Sequence, residues 1–332
     1  ATPDHWHALM TILACQAGKD VYVEKPVSHN LREGELMIAA ANQSGRIVQC
    51  GLQQRSSEHF RSAIEYVRSG KLGQVHLAKA WSVNRRKPIG SKSSAPVPDG
   101  VNYDLWLGPA PEREFQPNRF HHNWNWFWDY GSGELGNWGV HMLDVARWGL
   151  NVEWPEIVTA NGGKHAFHDE QETPDTLFVN YQFPAIERSR NHQPAAPKSI
   201  VWEHRLWTNH GIEGRSTAVA FYGERGTLIL DRGGWKVYGT REAPSAQPGD
   251  QLKPHLLNFL QAIKTGAPLH CDLATGHLSS GLCHLGNIAH RTTGHLQIDP
   301  RDANFGLKGD AAKLLTREYR SPWELPAISS ES

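Results

Sequence analysis

A helix predicted over 135–150 carries three polar side chains that could do chemistry. Asn137, His141 and Asp144 fall at i, i+4 and i+7, which places them on one face. An imidazole near a helix start, with polar neighbours one turn away on either side, suits a general base held in one orientation. The same spacing suits a capped helix with a satisfied histidine. Leu135, Met142, Val145 and Trp148 supply the apolar side. Just upstream, Arg119, His121, His122, Trp124, Trp126 and Asp129 alternate rings with polar groups. Such a run could line a sugar cleft, with rings stacking on a pyranose and polar groups reading hydroxyls. It could equally pack on the core. Glu203-His204-Arg205 lies in a strand predicted over 199–206, where His204 faces opposite to its neighbours. Either a cleft-facing side chain or a solvated sheet face fits that pattern.

Two other kinds of chemistry fare less well. Gly131-Ser132-Gly133-Glu134-Leu135-Gly136 matches G-x-G-x-x-G, but that fingerprint must follow a buried strand. Here it follows the aromatic and polar stretch 123–130. It reads as a turn feeding the helix. His5, His7, His121, His122 and His204 offer imidazoles, yet no His-Glu-x-x-His and no Cys/His pair with zinc spacing occurs. No metal is expected. Cys15, Cys50, Cys271 and Cys283 are far apart without a C-x-x-C, which argues against a disulfide framework.

These residues need elements to position them. Ala8, Leu9, Ile12, Leu13 and Ala17 predict a first helix, and Gly18 stands where a C-cap belongs. A short strand over 20–24 ends at Lys25 and Pro26. Asn30 and Glu33 form a capping box for a second helix stopped at Gly45, and 47–51 is a second strand. This alternation predicts a parallel sheet. Ligands of such sheets lie beyond the carboxyl ends of the strands. Thr2, Pro3, Glu24, Lys25, Pro26 and Gln53 therefore share one rim. After a helix over 57–69, a strand over 77–83 and a polar loop over 87–98, strand signals recur from 156 to 239. Gly223-Glu-Arg-Gly226 and Gly233-Gly234 join the last of them as tight turns, which predicts a large open, mainly antiparallel sheet. Helices are predicted near 254–265, 274–291 and 310–315, and 188–198 is the one low-complexity loop.

Thr2-Pro3-Asp4-His5-Trp6-His7, Gly18-Lys19 and Glu24-Lys25-Pro26, at this spacing, resemble the second half of the Rossmann domain of the Gfo/Idh/MocA oxidoreductases. The resemblance extends to the C-terminus. It implies an α/β protein: a partial Rossmann domain, a doubly wound parallel sheet, over 1–56, then an α/β substrate and oligomerisation domain over 57–332. The helix over 275–292 would pack back on the first domain. It also implies about 80–100 residues upstream, with the phosphate-binding turn and the ribose-reading acid. Gly139-Val140-His141-Met142-Leu143-Asp144 resembles the family's G-x-H-x-x-D helix, whose His and preceding Asp serve with the E-K-P Lys in hydride-coupled proton transfer. Lys25 and His141 match as catalytic residues, and the Asp is replaced by Asn137. Asn cannot act as acid or base, though it can bond a hydroxyl. The resemblance assigns Thr2, Pro3, His5, His7, Glu24, Lys25, Pro26 and Gln53 to the cofactor, NAD or NADP with NAD favoured. Arg119, His122, Trp124, Asn137, Asp144 and His204 are the candidate substrate residues.

The expected activity is hydride transfer between a nicotinamide and a carbohydrate or glycoside. Redox-neutral glycoside cleavage or epimerisation through transient oxidation is the alternative. A sugar- or nucleotide-responsive regulator and a His-based metallo-hydrolase are alternatives of other classes. The 332 residues carry 34 Lys+Arg against 34 Asp+Glu, a balance that argues against a nucleic-acid partner. No apolar run reaches the roughly 18 residues of a membrane helix, and mean hydropathy is −0.53. No targeting signal is visible; the chain is compatible with the cytoplasm, and any export signal would lie upstream. An open sheet commonly buries its free face in a subunit contact, so a homo-oligomer, dimer or tetramer, is expected. The 13 Trp and 19 His suit both sugar stacking and an ordinary bulky core.

Overall fold

The computed structural model describes residues 2–185, 196–240 and 245–326. It opens with α1 (Asp4–Gln16), β1 (Val21–Val23), α2 (Leu31–Ser44) and β2 (Val48–Cys50). β1 and β2 pair in parallel, Val21 opposite Val48 and Val23 opposite Cys50, as a crossover through α2 requires. The Asn30 side chain accepts from the Glu33 amide at 2.9 Å. The return bond of this cap goes one residue further out, from the His29 amide to Glu33 at 2.8 Å. Gly45 closes α2 with φ 60°.

After a 3-10 turn (Gln53–Ser56) come α3 (Glu58–Arg68), β3 (Val75–Val83) and the short α4 (Tyr103–Leu107). The aromatic stretch is neither strand nor open loop: 3-10 turns cover Pro117–Arg119 and His121–Trp126. The helix expected from 135 begins with a π turn (Leu135–Gly139) and becomes α5 (Val140–Leu150) only afterwards. Single π turns inside helices recur at functional sites.

Then follow β4 (Ile157–Gly163), β5 (Thr176–Phe183), β6 (Lys198–Arg205), β7 (Thr217–Gly223), β8 (Gly226–Asp231), β9 (Gly234–Tyr238) and β10 (Ser245–Ala246). The chain continues through α6 (Leu252–Thr265), α7 (Leu273–Arg291), β11 (His295–Gln297) and α8 (Gly309–Lys313). The nine strands of the large sheet run in the order β10-β9-β8-β7-β3-β6-β5-β4-β11. Among the described residues of this sheet only β3 and β6 pair in parallel; every other neighbour is antiparallel. Residues 188–195 of the low-complexity loop predicted over 188–198 lie outside the described residues.

α5 and α7 cover one face of this sheet. The Tyr181 hydroxyl donates to the Leu282 carbonyl at 2.8 Å, tying β5 to α7. α7 also reaches the small sheet, because Ser280 Oγ accepts from the Val27 amide at 3.0 Å. On the other face, Trp81 donates to the Arg215 carbonyl at 2.8 Å, and Ala218, Ala220 and Ile229 pack beside it. Elsewhere that face is bare: Phe178 is 43 % exposed and Tyr238 42 %. Lys79, Glu203 and Arg205 form a chain of ion pairs beside the bare apolar residues. Among the described residues no helix is long and apolar enough to cross a membrane.

Gly149 shows how tightly α5 approaches the sheet. A Cβ there would overlap the ring of Phe221 on β7, which is fully buried. Gly149→Ala is expected to lower stability by about 1–3 kcal/mol through overpacking, despite a gain in helix propensity of about 1 kcal/mol. A fall in the thermal unfolding midpoint checks it.

Candidate active site at the carboxyl rim of the small sheet

β1 ends at Val23, so Glu24, Lys25 and Pro26 stand on the rim where the parallel sheet presents its carboxyl ends. The Glu24 carboxylate accepts from the Lys25 amide at 3.3 Å. The Lys25 side chain then crosses to the π turn. Its Nζ donates to Asn137 twice, to the side-chain Oδ1 at 2.9 Å and to the backbone carbonyl at 3.1 Å. Burial pushes the Lys25 amine down, and Asp4, Glu24 and Glu134 oppose that push.

Asn137 is fixed from its other side by Glu134, whose Oε2 accepts from the amide Nδ2 at 3.4 Å. Glu134 is buried. Ser82 Oγ on β3 donates to its Oε1 at 2.7 Å, and Arg86 Nη2 donates to its Oε2 at 2.8 Å. Lys is only a donor and a carboxylate only an acceptor, so an amide between them has one satisfied orientation. An Asp at 137 would face the Glu134 carboxylate with a like charge. Asn at this position is thus what the neighbouring acid allows.

One turn further on, His141 is buried and its Nδ1 has no hydrogen-bond partner among the described residues. Burial holds the imidazole far below the usual histidine range, and the positive fields of Lys25 and Arg232 press the same way. Trp138 meets it edge-on, with ring centroids 6.1 Å apart. His141 is therefore neutral near pH 7, with a ring nitrogen free to accept a proton.

The sequence-predicted residues divide into two groups. Lys25 and Asn137 bond directly, Pro26 lies against Gly136, and His141 lies in the field of Lys25. His122 is exposed and feels both Lys25 and Glu134. Gln53 stands at the end of β2 and donates to the Tyr22 hydroxyl at 3.4 Å. Thr2 and Pro3 stand at the start of α1, Pro3 as its N-cap residue.

Six others are committed elsewhere. Asp144 is a correction: Arg55 Nε and Nη2 and Ser279 Oγ occupy its carboxylate at 2.6–3.0 Å, and it is fully buried. Polar spacing along the helix could not show that its face turns from the cleft into the junction with α7. His204 is a second correction: it accepts from the Trp202 indole at 3.1 Å, and its Nε2 lies 3.1 Å from the Pro174 carbonyl. His7 has both nitrogens against carbonyls, of Pro26 at 2.7 Å and Thr2 at 3.1 Å. It props the rim from below. His5 Nε2 lies 3.0 Å from the Trp106 carbonyl, and burial depresses its pKa to about 3. Arg119 lies over the Phe127 ring, and Trp124 packs on the cluster of Trp126, Phe127 and Tyr130. Both belong to the wall formed by the aromatic segment.

Three residues were given no role from the sequence: Glu134, Arg232 and Asp4. Glu134 lay inside the glycine-rich run and was hidden by it. Those glycines serve packing, since a Cβ at Gly131 or Gly136 would overlap Asn125 or Ser132. Asp4 is buried and accepts from Ser132 Oγ at 2.9 Å. Burial raises its pKa to about 7, and the Lys25 charge holds it back only in part. Among the described residues no group of three His, Cys, Asp or Glu is placed to hold a metal ion. The four cysteines are free and buried.

The rim suits the nicotinamide end of a dinucleotide. Lys25 keeps one N–H beyond its two bonds to Asn137, and one helical turn on, His141 carries a buried ring nitrogen with no hydrogen-bond partner among the described residues.

Two family models match the chain. Residues 1–52 match an oxidoreductase family, NAD-binding Rossmann fold, and residues 80–165 match an oxidoreductase family, C-terminal alpha/beta domain. An uncharacterised oxidoreductase of Bacillus subtilis is 34% identical over 87 residues, 26% of each chain. One of Rhizobium meliloti is 28% identical over 281 residues, 82% of this chain and 70% of that one. A levoglucosan dehydrogenase of Pseudarthrobacter phenanthrenivorans is 22% identical over 153 residues, 45% of this chain. The chain thus spans only 26% and 31% of the first and third of these relatives. The fold matches the crystal structure of an aldose-aldose oxidoreductase of Caulobacter crescentus with a TM-score of 0.65 at 21% identity, over 90% of this chain and 78% of that one.

Two predictions follow from the buried acids. Asp4→Asn leaves an acceptor for Ser132 but removes a group that must ionise while buried. A carboxyl raised from 3.8 to about 7 favours the fold below pH 4, and that contribution is lost as pH rises to 7. The variant is expected to melt with the wild type near pH 4 and above it at pH 8, which melting curves at both pH values check. Asp144→Ala strands Arg55 and is expected to cost about 3–5 kcal/mol of stability, read as a lower denaturation midpoint.

Proposed function

Because the chain belongs to the Gfo/Idh/MocA oxidoreductase family, we propose that it works as an NAD(P)-dependent oxidoreductase on a carbohydrate. What supports this reading is an ammonium held by Asn137 in the field of a neutral His141, whose Nδ1 has no partner among the described residues. Residues 1–56 would form the nicotinamide side of the site, and 57–332 the substrate and assembly side.

Thr2, Pro3, Glu24, Lys25, Pro26 and Gln53 are the residues that would hold the nicotinamide end. When bound, a nicotinamide dinucleotide supplies the hydride acceptor. His141 takes the proton of the substrate hydroxyl. A weak neutral base suffices, since the hydroxyl acidifies only as the hydride leaves its carbon. Lys25 donates to the same oxygen and stabilises the charge that develops on it. Asn137 keeps the lysine in place, and the segment with His122 and Trp124 forms the outer wall for the sugar ring. The name of the levoglucosan dehydrogenase among the relatives favours a sugar substrate. The bare sheet face with Phe178 is the surface we propose for a homo-oligomeric contact.

Asn137 favours a second reading, redox-neutral sugar chemistry in which the hydride is returned. No acid stands at that position to carry the proton away.

NADH formation with a panel of aldoses and glycosides separates the readings. Accumulating NADH supports the dehydrogenase, and product without accumulating NADH supports the redox-neutral enzyme. A chain that binds sugar but turns over none of the panel would be a sugar-responsive regulator. His141→Ala and Lys25→Ala are each expected to lower kcat about 10²–10⁴-fold with the fold intact by circular dichroism. Unchanged turnover in either variant would sink the proposed roles.

A further inference from the structure

Charge around His141 does not balance. Arg232, in the turn between β8 and β9, lays its guanidinium over the Trp138 ring with Cζ 4.7 Å from the centroid. Trp138 is the ring that meets His141 edge-on. The guanidinium therefore lies one indole away from the imidazole. Its neighbour Asp231 is taken by Arg215. Glu134 is taken by Ser82 and Arg86. Among the described residues no carboxylate pairs with Arg232. Lys25, the other cation, meets an amide at Asn137, and Glu24 on its own strand end is the carboxylate bonded to its backbone. Arg232 is exposed at this turn, partial desolvation lowers its pKa, and both cations depress that of His141. Among the described residues, the surroundings of His141 thus hold two cations whose side chains pair with no carboxylate.

We propose that Arg232 reads a carboxylate on the sugar, so that the substrate class is a hexuronic acid or a glycoside of one. This rests on the reading of the site as a carbohydrate oxidoreductase. A guanidinium offers a planar fork of donors that matches a carboxylate in two bonds. Stacking on Trp138 fixes the plane of that fork. A neutral sugar covering this turn would bury the guanidinium without an acceptor, which is costly. A carboxylate supplies the acceptor and cancels one of the two charges. The distance of one indole separates the anion from the reacting hydroxyl, so it sits on another carbon of the same ring.

The test is calorimetric titration of the chain, with and without NADH, using matched pairs: D-glucuronate with D-glucose, D-galacturonate with D-galactose, and D-glucose 6-phosphate as a separate anion. The wild type is expected to bind at least one uronate about ten- to hundredfold tighter than its neutral partner, the range of a charged hydrogen-bonded contact. Arg232→Gln should erase that preference, and Arg232→Lys should keep part of it. The preferred uronate should also slow modification of Arg232 by phenylglyoxal, mapped by peptide mass spectrometry. Equal binding of each uronate and its hexose, or a preference that survives in Arg232→Gln, overturns the proposal while the carbohydrate reading stands. Tighter binding of glucose 6-phosphate than of glucuronate overturns it in favour of a phosphate. Binding of none of the sugars, charged or neutral, overturns the carbohydrate reading and this one with it.

Discussion

The site depends on one contact, the double hydrogen bond from Lys25 Nζ to Asn137. Lys25 belongs to the small parallel sheet, and Asn137 belongs to the π turn that starts α5 against the large sheet. The bond therefore joins the two halves of the molecule at the point where chemistry is proposed. It also sets an unusual charge state. An ammonium removed from water usually acquires a carboxylate partner, because an unpaired buried charge is expensive. Here the nearest partner is an amide, and the amide is itself locked by Glu134. The lysine gains hydrogen bonds without gaining neutrality.

The rest of the structure keeps that arrangement rigid. α7 packs on both sheets, through Ser280 to Val27 and through Leu282 to Tyr181. Asp144 gathers Arg55 from the turn after β2 and Ser279 from α7, so α5 cannot rotate without breaking a largely buried ion pair. His141 sits between Asn137 and Asp144 on that same helix. Its orientation follows from a bond to Lys25 at one end and a bond to Arg55 at the other. Neither partner touches the imidazole. The helix carries the positioning.

Much of the fold was legible because its signals are local. The cap at Asn30, the glycine at 45 and the short β-branched strands each act within a few residues. The mainly antiparallel large sheet followed from closely spaced strands and glycine turns. The parallel pairing of β3 with β6 was not visible, since Leu77 and its partner Ser199 lie 122 positions apart and only tertiary packing brings them together. The site was half legible. Lys25 and His141 stood out by motif and by resemblance. Asp144 and His204 did not reveal that packed neighbours consume their hydrogen bonds. Helical spacing puts a residue on a face, and only the tertiary fold says what that face meets. Arg232 carried no signal at all, because nothing in a turn sequence says that its side chain reaches Trp138.

The central claim is that Lys25 is an ammonium held without a carboxylate of its own at residue 137. Competitive acetylation across pH, with the peptide containing Lys25 followed by mass spectrometry, measures its titration directly. The amine should titrate below the ordinary lysine value of 10.5 in the wild type, and Asn137→Asp, which restores a carboxylate beside it, should move the midpoint upward. A wild-type midpoint at the ordinary lysine value, unmoved in Asn137→Asp, would contradict the account.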